Sequence, residues 1–275
     1  MEEKIIKFED MQLSKKVLNA VRDMGFEEPS PIQAQTIPLA LEGHDVIGQA
    51  QTGTGKTAAF GIPTIEQIDE KNKYIQALVL TPTRELAIQI AEEFNKIGKY
   101  KRVKTLPVYG GQMIDRQIRA LRFGVKVVVG TPGRLIDHIR RNTIKLDHVK
   151  MLILDEADEM LDMGFIEDVR NILMHLEGKP VFMLFSATMG ERLEALAAQF
   201  MHEPLEVKIE NDTETADTIE QVGYFVDEDE KKLPLFLDIL TMENPDNAMV
   251  FCGTREMVEV LYYRLRKEGI ACGML

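Results

Sequence analysis

Short apolar runs alternate along this chain with stretches in which apolar residues recur every three or four positions. The runs predict strands over 46–48, 77–80, 103–108, 125–129, 151–154 and 181–185. The stretches predict helices over 57–70, 84–97, 113–121, 134–141, 165–176 and 191–200. Strand and helix in regular alternation predict an α/β fold, a parallel sheet sandwiched by helices. Several of these strands end in small or proline-containing turns, at 49–55, 81–83, 110–111 and 131–133. Ligands of such sheets bind at the carboxyl ends of the strands, so these turns should share one face.

The pattern changes after Pro204. Residues 206–230 hold ten acids and one lysine, and 211–218 are polar, which reads as a linker. Beyond it, 221–226, 248–252 and 271–275 read as strands, with helices at 231–240 and 255–267. The expected organisation is a first domain over 1–205, an acidic linker over 206–218 and a partial second domain over 219–275. Three strands in about 57 residues make a poor independent core, so the second domain reads as incomplete.

Composition removes several classes. The longest apolar runs are too short to span a bilayer. The acidic start, Met1-Glu2-Glu3-Lys4, predicts no secretory signal. Two cysteines, Cys252 and Cys272, can form neither a disulfide framework nor a four-cysteine zinc site, which points to a reducing cytoplasmic setting. The net charge of −12 argues at first against a nucleic-acid partner. That sum hides an asymmetry. Between Lys96 and Lys150 there are 14 basic and 3 acidic residues, a net of +11, whereas 206–275 carries a net of −9. Either block alone could be a solvated face; the basic one gains meaning if phosphate chemistry lies beside it.

Such chemistry is present. Ala50-Gln51-Thr52-Gly53-Thr54-Gly55-Lys56-Thr57 stands between a predicted strand and helix and has the form of a phosphate-binding loop, with Ala50 in place of the usual first glycine. Gly53 and Gly55 let backbone amides turn toward phosphates at a helix N-terminus. Lys56 is placed to reach the β and γ phosphates, and the Thr57 hydroxyl to ligate Mg²⁺. A second signal is the apolar strand 151–154 running into Asp155-Glu156-Ala157-Asp158. Asp155 is expected to hold Mg²⁺ and Glu156 to orient and deprotonate a water; the competing reading is an acidic helix start. Together the two motifs describe a nucleoside triphosphatase.

Five further segments in order narrow the class. Beside Asp155-Glu156-Ala157-Asp158 the chain has Gly25-Phe26-Glu27-Glu28-Pro29-Ser30-Pro31-Ile32-Gln33, Pro82-Thr83-Arg84-Glu85-Leu86, Gly110-Gly111, Thr131-Pro132-Gly133-Arg134 and Ser186-Ala187-Thr188. With these it resembles the DEAD-box ATP-dependent RNA helicases over essentially its whole length, and within them bacterial cold-shock and ribosome-assembly members. The resemblance implies a RecA-like sheet, ATP and Mg²⁺ as cofactors, and RNA as partner, held through its backbone without sequence preference. It also implies ribonucleoprotein or RNA-decay proteins as further partners. Gln33 would read adenine, Phe26 would stack on it, and Phe8 would support that aromatic; core packing is the competing role for both phenylalanines. Pro82, Thr83, Arg84, Gly110, Gly111, Thr131, Pro132, Gly133 and Arg134 would contact RNA, unless the arginines serve structural ion pairs. Ser186 and Thr188 would couple the ATP site to strand separation, with Asp158 as their partner, or cap the following helix.

Residues Met249 to Arg255 resemble the opening motif of the family's second RecA-like domain. That domain's arginine-finger segment is not found in these 275 residues. The expectation is that this polypeptide alone binds adenine nucleotide, hydrolyses it weakly and does not unwind RNA. An ATP-dependent RNA clamp and a DNA-directed motor of the same superfamily are the competing classes.

Overall fold

In the computed structural model, the described residues are 7–51, 53–209, 220, 222–227 and 231–274. The chain divides into two units, Met1–Asn211 and Asp212–Leu275.

The first unit is built on strands whose residues are apolar in unbroken succession. Ala77–Leu80 (β2), Val127–Gly130 (β4) and Met151–Leu154 (β5) are buried at every position, as strands covered on both faces must be. With Val46–Gln49 (β1), Thr105–Val108 (β3), Val181–Ser186 (β6) and Leu205–Lys208 (β7) they form one sheet of order β3-β4-β2-β5-β6-β1-β7. All six pairings are parallel. Side chains alternate between two cores. Val79, Val129, Ile153, Met183 and Phe185 face one layer, in which Phe60, Phe94, Val17 and Ile37 pack. Leu78, Val128, Leu152, Phe182 and Leu184 face the other, with Leu135, Met160, Val169 and Leu193. The first layer belongs to helices Lys15–Asp23 (α1), Pro31–Glu42 (α2), Lys56–Gln67 (α3) and Arg84–Ile97 (α4). The second belongs to Pro132–Arg140 (α6), Ala157–Asp162 (α7), Ile166–Leu173 (α8) and Glu191–Phe200 (α9). Ile114–Leu121 (α5) follows β3.

The order of strands decides where chemistry can meet. The phosphate loop, the acidic pair and Ser186 leave β1, β5 and β6, which are neighbours. The turns after β2, β4 and β3 lie on the other three adjacent strands.

Three expectations need correction. The sheet does not end at 205: β7 runs to Lys208, beside β1, inside the stretch read as linker. Only Val207 of that strand is buried, so an edge strand with charged neighbours looked like solvated chain. Helices α1, α2 and α7 were absent from the pattern reading. Finally, the second unit has helices Lys232–Glu243 (α10) and Arg255–Lys267 (α11), but its described residues at 222–226, 248–252 and 271–274 form no strand. A helix closes its own hydrogen bonds, whereas a strand needs a neighbour to pair with. The remainder of the 206–218 segment, from 210, lies outside the described residues, as do Gln221 and Leu275 of the expected strands.

Candidate nucleotide and nucleic-acid sites

The phosphate loop bends between β1 and α3. Gly53 and Gly55 hold φ of +83° and +89°, and Gly55 directly precedes α3. A Cβ at Gly55 would lie 2.5 Å from Gln33 Nε2, so both space and backbone angle require glycine there. Lys56 is buried and Thr57 half-buried at the start of α3, where free amides and the helix dipole favour an anion. Thr54 Oγ1 donates to Gln51 O at 2.9 Å, tightening the loop. Ala50 is buried and its N–H donates to Ser186 O at 3.3 Å, a join between the β1 and β6 ends. Thr52 lies outside the described residues.

Helix α2 grips this loop from its own N-terminus. Ser30 Oγ donates to Thr54 O at 2.8 Å, and Gln33 Nε2 donates to Gly55 O at 3.1 Å. Gln33 Oε1 in turn accepts from Ser30 N at 3.0 Å, the return arm of a capping box. The amide expected to read adenine thus already anchors the loop, and keeps one N–H and one lone pair for a ligand. Phe8 is 2% exposed and packs on Phe26, ring centroids 6.5 Å apart and 23° from parallel. Buried this far, Phe8 supports Phe26 from within the core. Half-buried Phe26 borders a cleft of about 360 Å³ with Gly25 and Leu18.

The acidic pair follows β5. Asp155 is 3% exposed, and burial raises its carboxyl to about 6 against the pull of Lys56. Glu156 stands at φ 52°, ψ 51°, a left-handed conformation uncommon for a non-glycine residue, and begins α7. Burial first, then the carboxylates of Glu159 and Asp155, raise Glu156 to about 7. Two carboxyls held this high mark a place short of positive charge. Asp158 behaves oppositely. Burial pushes its pKa up, but the Thr188 hydrogen bonds and the Ser186 hydroxyl outweigh it and hold it low. Thr188 N and Oγ1 donate to Asp158 Oδ2 at 2.9 and 3.0 Å, and Ser186 Oγ donates to Thr188 O. The three residues expected to act together are therefore in direct contact.

Among the described residues no three His, Cys, Asp or Glu side chains gather into a metal-binding cluster. A buried Asp155 carboxylate near Lys56, whose chain neighbour Thr57 carries a hydroxyl, suits Mg²⁺, which keeps most of its waters and binds through one or two protein groups plus phosphate.

The three basic turns also converge. Thr81 N donates to Gly130 O and Thr131 N to Val108 O, each at 3.0 Å, so each turn is tied to its neighbour. Pro82 and Pro132 are buried, and Thr83 caps α4 by accepting from Leu86 N at 3.3 Å. Gly110 and Gly133 are exposed, and Thr131 is half-buried. Gly111, at φ +82°, brings its backbone close to Arg84: a Cβ there would be 3.8 Å from Arg84 Nη1. Exposed Arg84 lies over the Tyr109 ring at 5.1 Å. Half-buried Arg134 donates through Nη1 to Gln112 O at 2.9 Å and Gln117 Oε1 at 3.1 Å. Neither arginine forms an ion pair among the described residues. Ser30 stood within the 25–33 segment without a role of its own, and Tyr109, Gln112, Gln117 and His138 were not expected at these sites. Gln117 alone carried a signal, as the polar residue on the inner face of an amphipathic helix.

The model of the DEAD/DEAH box helicase family matches residues 30–196. The chain is 52% identical over 264 residues to the DEAD-box ATP-dependent RNA helicase CshA of Geobacillus kaustophilus, covering 96% of this chain and 56% of that protein. It is 50% identical to the CshA of Bacillus subtilis, over 97% of this chain and 54% of that one. The chain therefore spans about half the length of the curated relatives it matches. A DEAD box protein from Methanococcus jannaschii has the same fold, with a TM-score of 0.72 and 40% identity over 98% of this chain and 72% of the other. No described helix is long and apolar enough to cross a membrane. Motifs, sheet order and relatives agree: this chain belongs to the DEAD/DEAH box helicase family.

Proposed function

We propose that this chain is the ATP-binding part of a cytoplasmic DEAD-box RNA helicase that couples ATP binding and hydrolysis to local unwinding of RNA or remodelling of ribonucleoproteins. The observation that carries the proposal is the adjacency of a buried lysine and two charge-starved carboxyls on one half of the sheet edge with, on the other, two arginines that form no ion pair among the described residues. Phe26 stacks on adenine and Gln33 reads its edge with the N–H and lone pair it has free. The loop amides from Gln51 to Gly55 and Lys56 bind the phosphates. Thr57 and Asp155 hold Mg²⁺, which supplies charge neutralisation for the phosphates. Glu156, with its carboxyl near 7, takes a proton from the attacking water at neutral pH. The Asp158–Thr188–Ser186 contact transmits the state of the acidic segment to the end of β6. Arg84, Arg134 and the backbone at Gly110, Gly111 and Thr131 hold RNA phosphates. Residues 219–275 belong to a second RecA-like domain joined by the acidic linker, and a polypeptide of these 275 residues alone hydrolyses ATP weakly.

ATP hydrolysis measured with single-stranded RNA, matched DNA or neither tests the proposal. Stimulation by RNA alone supports it, with Glu156→Gln abolishing turnover. DNA stimulation would instead indicate a DNA motor. Tight ATP-dependent RNA binding with no turnover at all would indicate a clamp.

A further inference from the structure

Helix α5 buries one residue, and it is polar: Gln117, 1% exposed. A glutamine amide offers two N–H donors and two lone pairs, and here all four are used. Nε2 donates to Tyr109 O and to Gln112 Oε1, each at 3.1 Å. Oε1 accepts from Arg134 Nη1 at 3.1 Å and faces His138 Nε2 at 3.0 Å. The amide cannot be turned over, because its N–H groups would then meet the Arg134 guanidinium and its oxygen the Tyr109 carbonyl. An amide oxygen only accepts, so His138 Nε2 carries the hydrogen. The other ring nitrogen, Nδ1, lies 2.8 Å from Thr143 Oγ1, and the imidazole is wholly buried.

This amide touches two of the three turns directly and the third through Tyr109. It holds the guanidinium of Arg134 in place, using one nitrogen and leaving the remaining N–H groups for a ligand. It holds the backbone of Tyr109, on whose ring Arg84 rests. It also braces Gln112, whose carbonyl is Arg134's second anchor. We infer that Gln117, itself locked by His138, is the positioning residue that presets Arg134 and the Tyr109–Gly111 turn for the RNA backbone. A guanidinium already fixed in its binding rotamer loses less freedom on meeting a phosphate than a free one. The inference rests on the proposed RNA reading of these turns and adds to it the device that orders them. Gln117 and His138 touch no RNA themselves.

The test uses the 275-residue chain and a short fluorescein-labelled single-stranded RNA at low salt. RNA affinity, Mg²⁺–ADP affinity and melting temperature are measured for Gln117→Met, His138→Phe, Arg134→Gln and the Gln117→Met/Arg134→Gln pair. Gln117→Met should weaken RNA binding about tenfold, the equivalent of ordering one long side chain afresh, and leave ADP affinity within about twofold. His138→Phe removes only the outer support and should weaken RNA binding about threefold. The double variant should bind RNA no worse than Arg134→Gln alone, since both changes disable one arginine. Wild-type RNA affinity in a folded Gln117→Met, or losses that add in the double variant, would overturn the inference. Should Gln117→Met not fold, His138→Phe decides: unchanged RNA affinity overturns the inference, and a loss confined to RNA upholds it. An Arg134→Gln that binds RNA as tightly as wild type sinks the RNA reading itself, and this inference with it.

Discussion

Replacing Asp155 by Asn should make the metal-free, nucleotide-free protein more stable at pH 8. Burial lifts this carboxyl from 3.8 to about 6, with Lys56 only partly compensating. A raised carboxyl pKa means that the folded state binds a proton the unfolded state has released. The stability from this group is whole below 3.8 and is lost as pH rises through about 6. At about 1.4 kcal/mol per pKa unit, holding the charge at pH 8 costs on the order of 3 kcal/mol. Asn removes that cost and keeps an oxygen for the Glu156 N–H, which now donates to Asp155 Oδ1 at 3.1 Å. For a domain of this size the gain corresponds to a melting point roughly 6–12 °C higher at pH 8. At pH 5, between the two pKa values, the difference should shrink to roughly half of this. Thermal unfolding followed by circular dichroism in EDTA at both pH values measures it. The same variant should lose the stabilisation that Mg²⁺ and ADP give the wild type, because binding stabilises only through a competent site. A lower melting point for Asp155→Asn at pH 8, or an unchanged pH dependence, would refute the reasoning.

Other regions give independent predictions. Changing Ser186 and Thr188 together to Ala removes the hydroxyl donors that hold Asp158 low, leaving the backbone N–H groups of Thr188 and Glu159. In the full-length protein, ADP affinity should persist and RNA unwinding fall while RNA-stimulated hydrolysis continues; a parallel loss of both would mean that the contact does not couple them. Gln33→Ala leaves the half-buried Ser30 N–H without its partner and Gly55 O with only the Ala59 N–H, at a cost of about 1 kcal/mol in urea unfolding, and should weaken ATP binding more than it weakens stability. His138 is held below its usual pKa, first by burial and then by Arg134. Its contribution to stability is present above about 6.5 and lost as pH falls toward the lower folded value. His138→Phe should therefore flatten that acid limb of the stability curve.

The sequence was legible wherever one local rule sufficed. β2, β5, α4 and α9 fall at the residues expected, because uninterrupted apolar runs and clean helical spacing leave one reading. The phosphate loop and acidic pair were legible because their chemistry fixes neighbouring residues. What escaped depends on contacts far apart in sequence. β7 is a strand only because β1 lies beside it. Gln33 could be named as a base reader, but its grip on Gly55 spans 22 residues. Gln117 and His138 lie on different helices, and only the order β3-β4 brings α5 and α6 together. In the second unit, apolar runs at 248–252 and 271–274 have strand composition but find no pairing neighbour among the described residues.

The central claim is that the loop at 50–57 and the carboxyls after β5 form one adenine-nucleotide site. Titrating a fluorescent ADP into the 275-residue chain with Mg²⁺, then displacing it with ATP or GTP, tests this most directly. The account predicts saturable binding that ATP displaces and GTP does not, and that Lys56→Ala abolishes. Binding that GTP displaces equally well, or that survives Lys56→Ala, would contradict it.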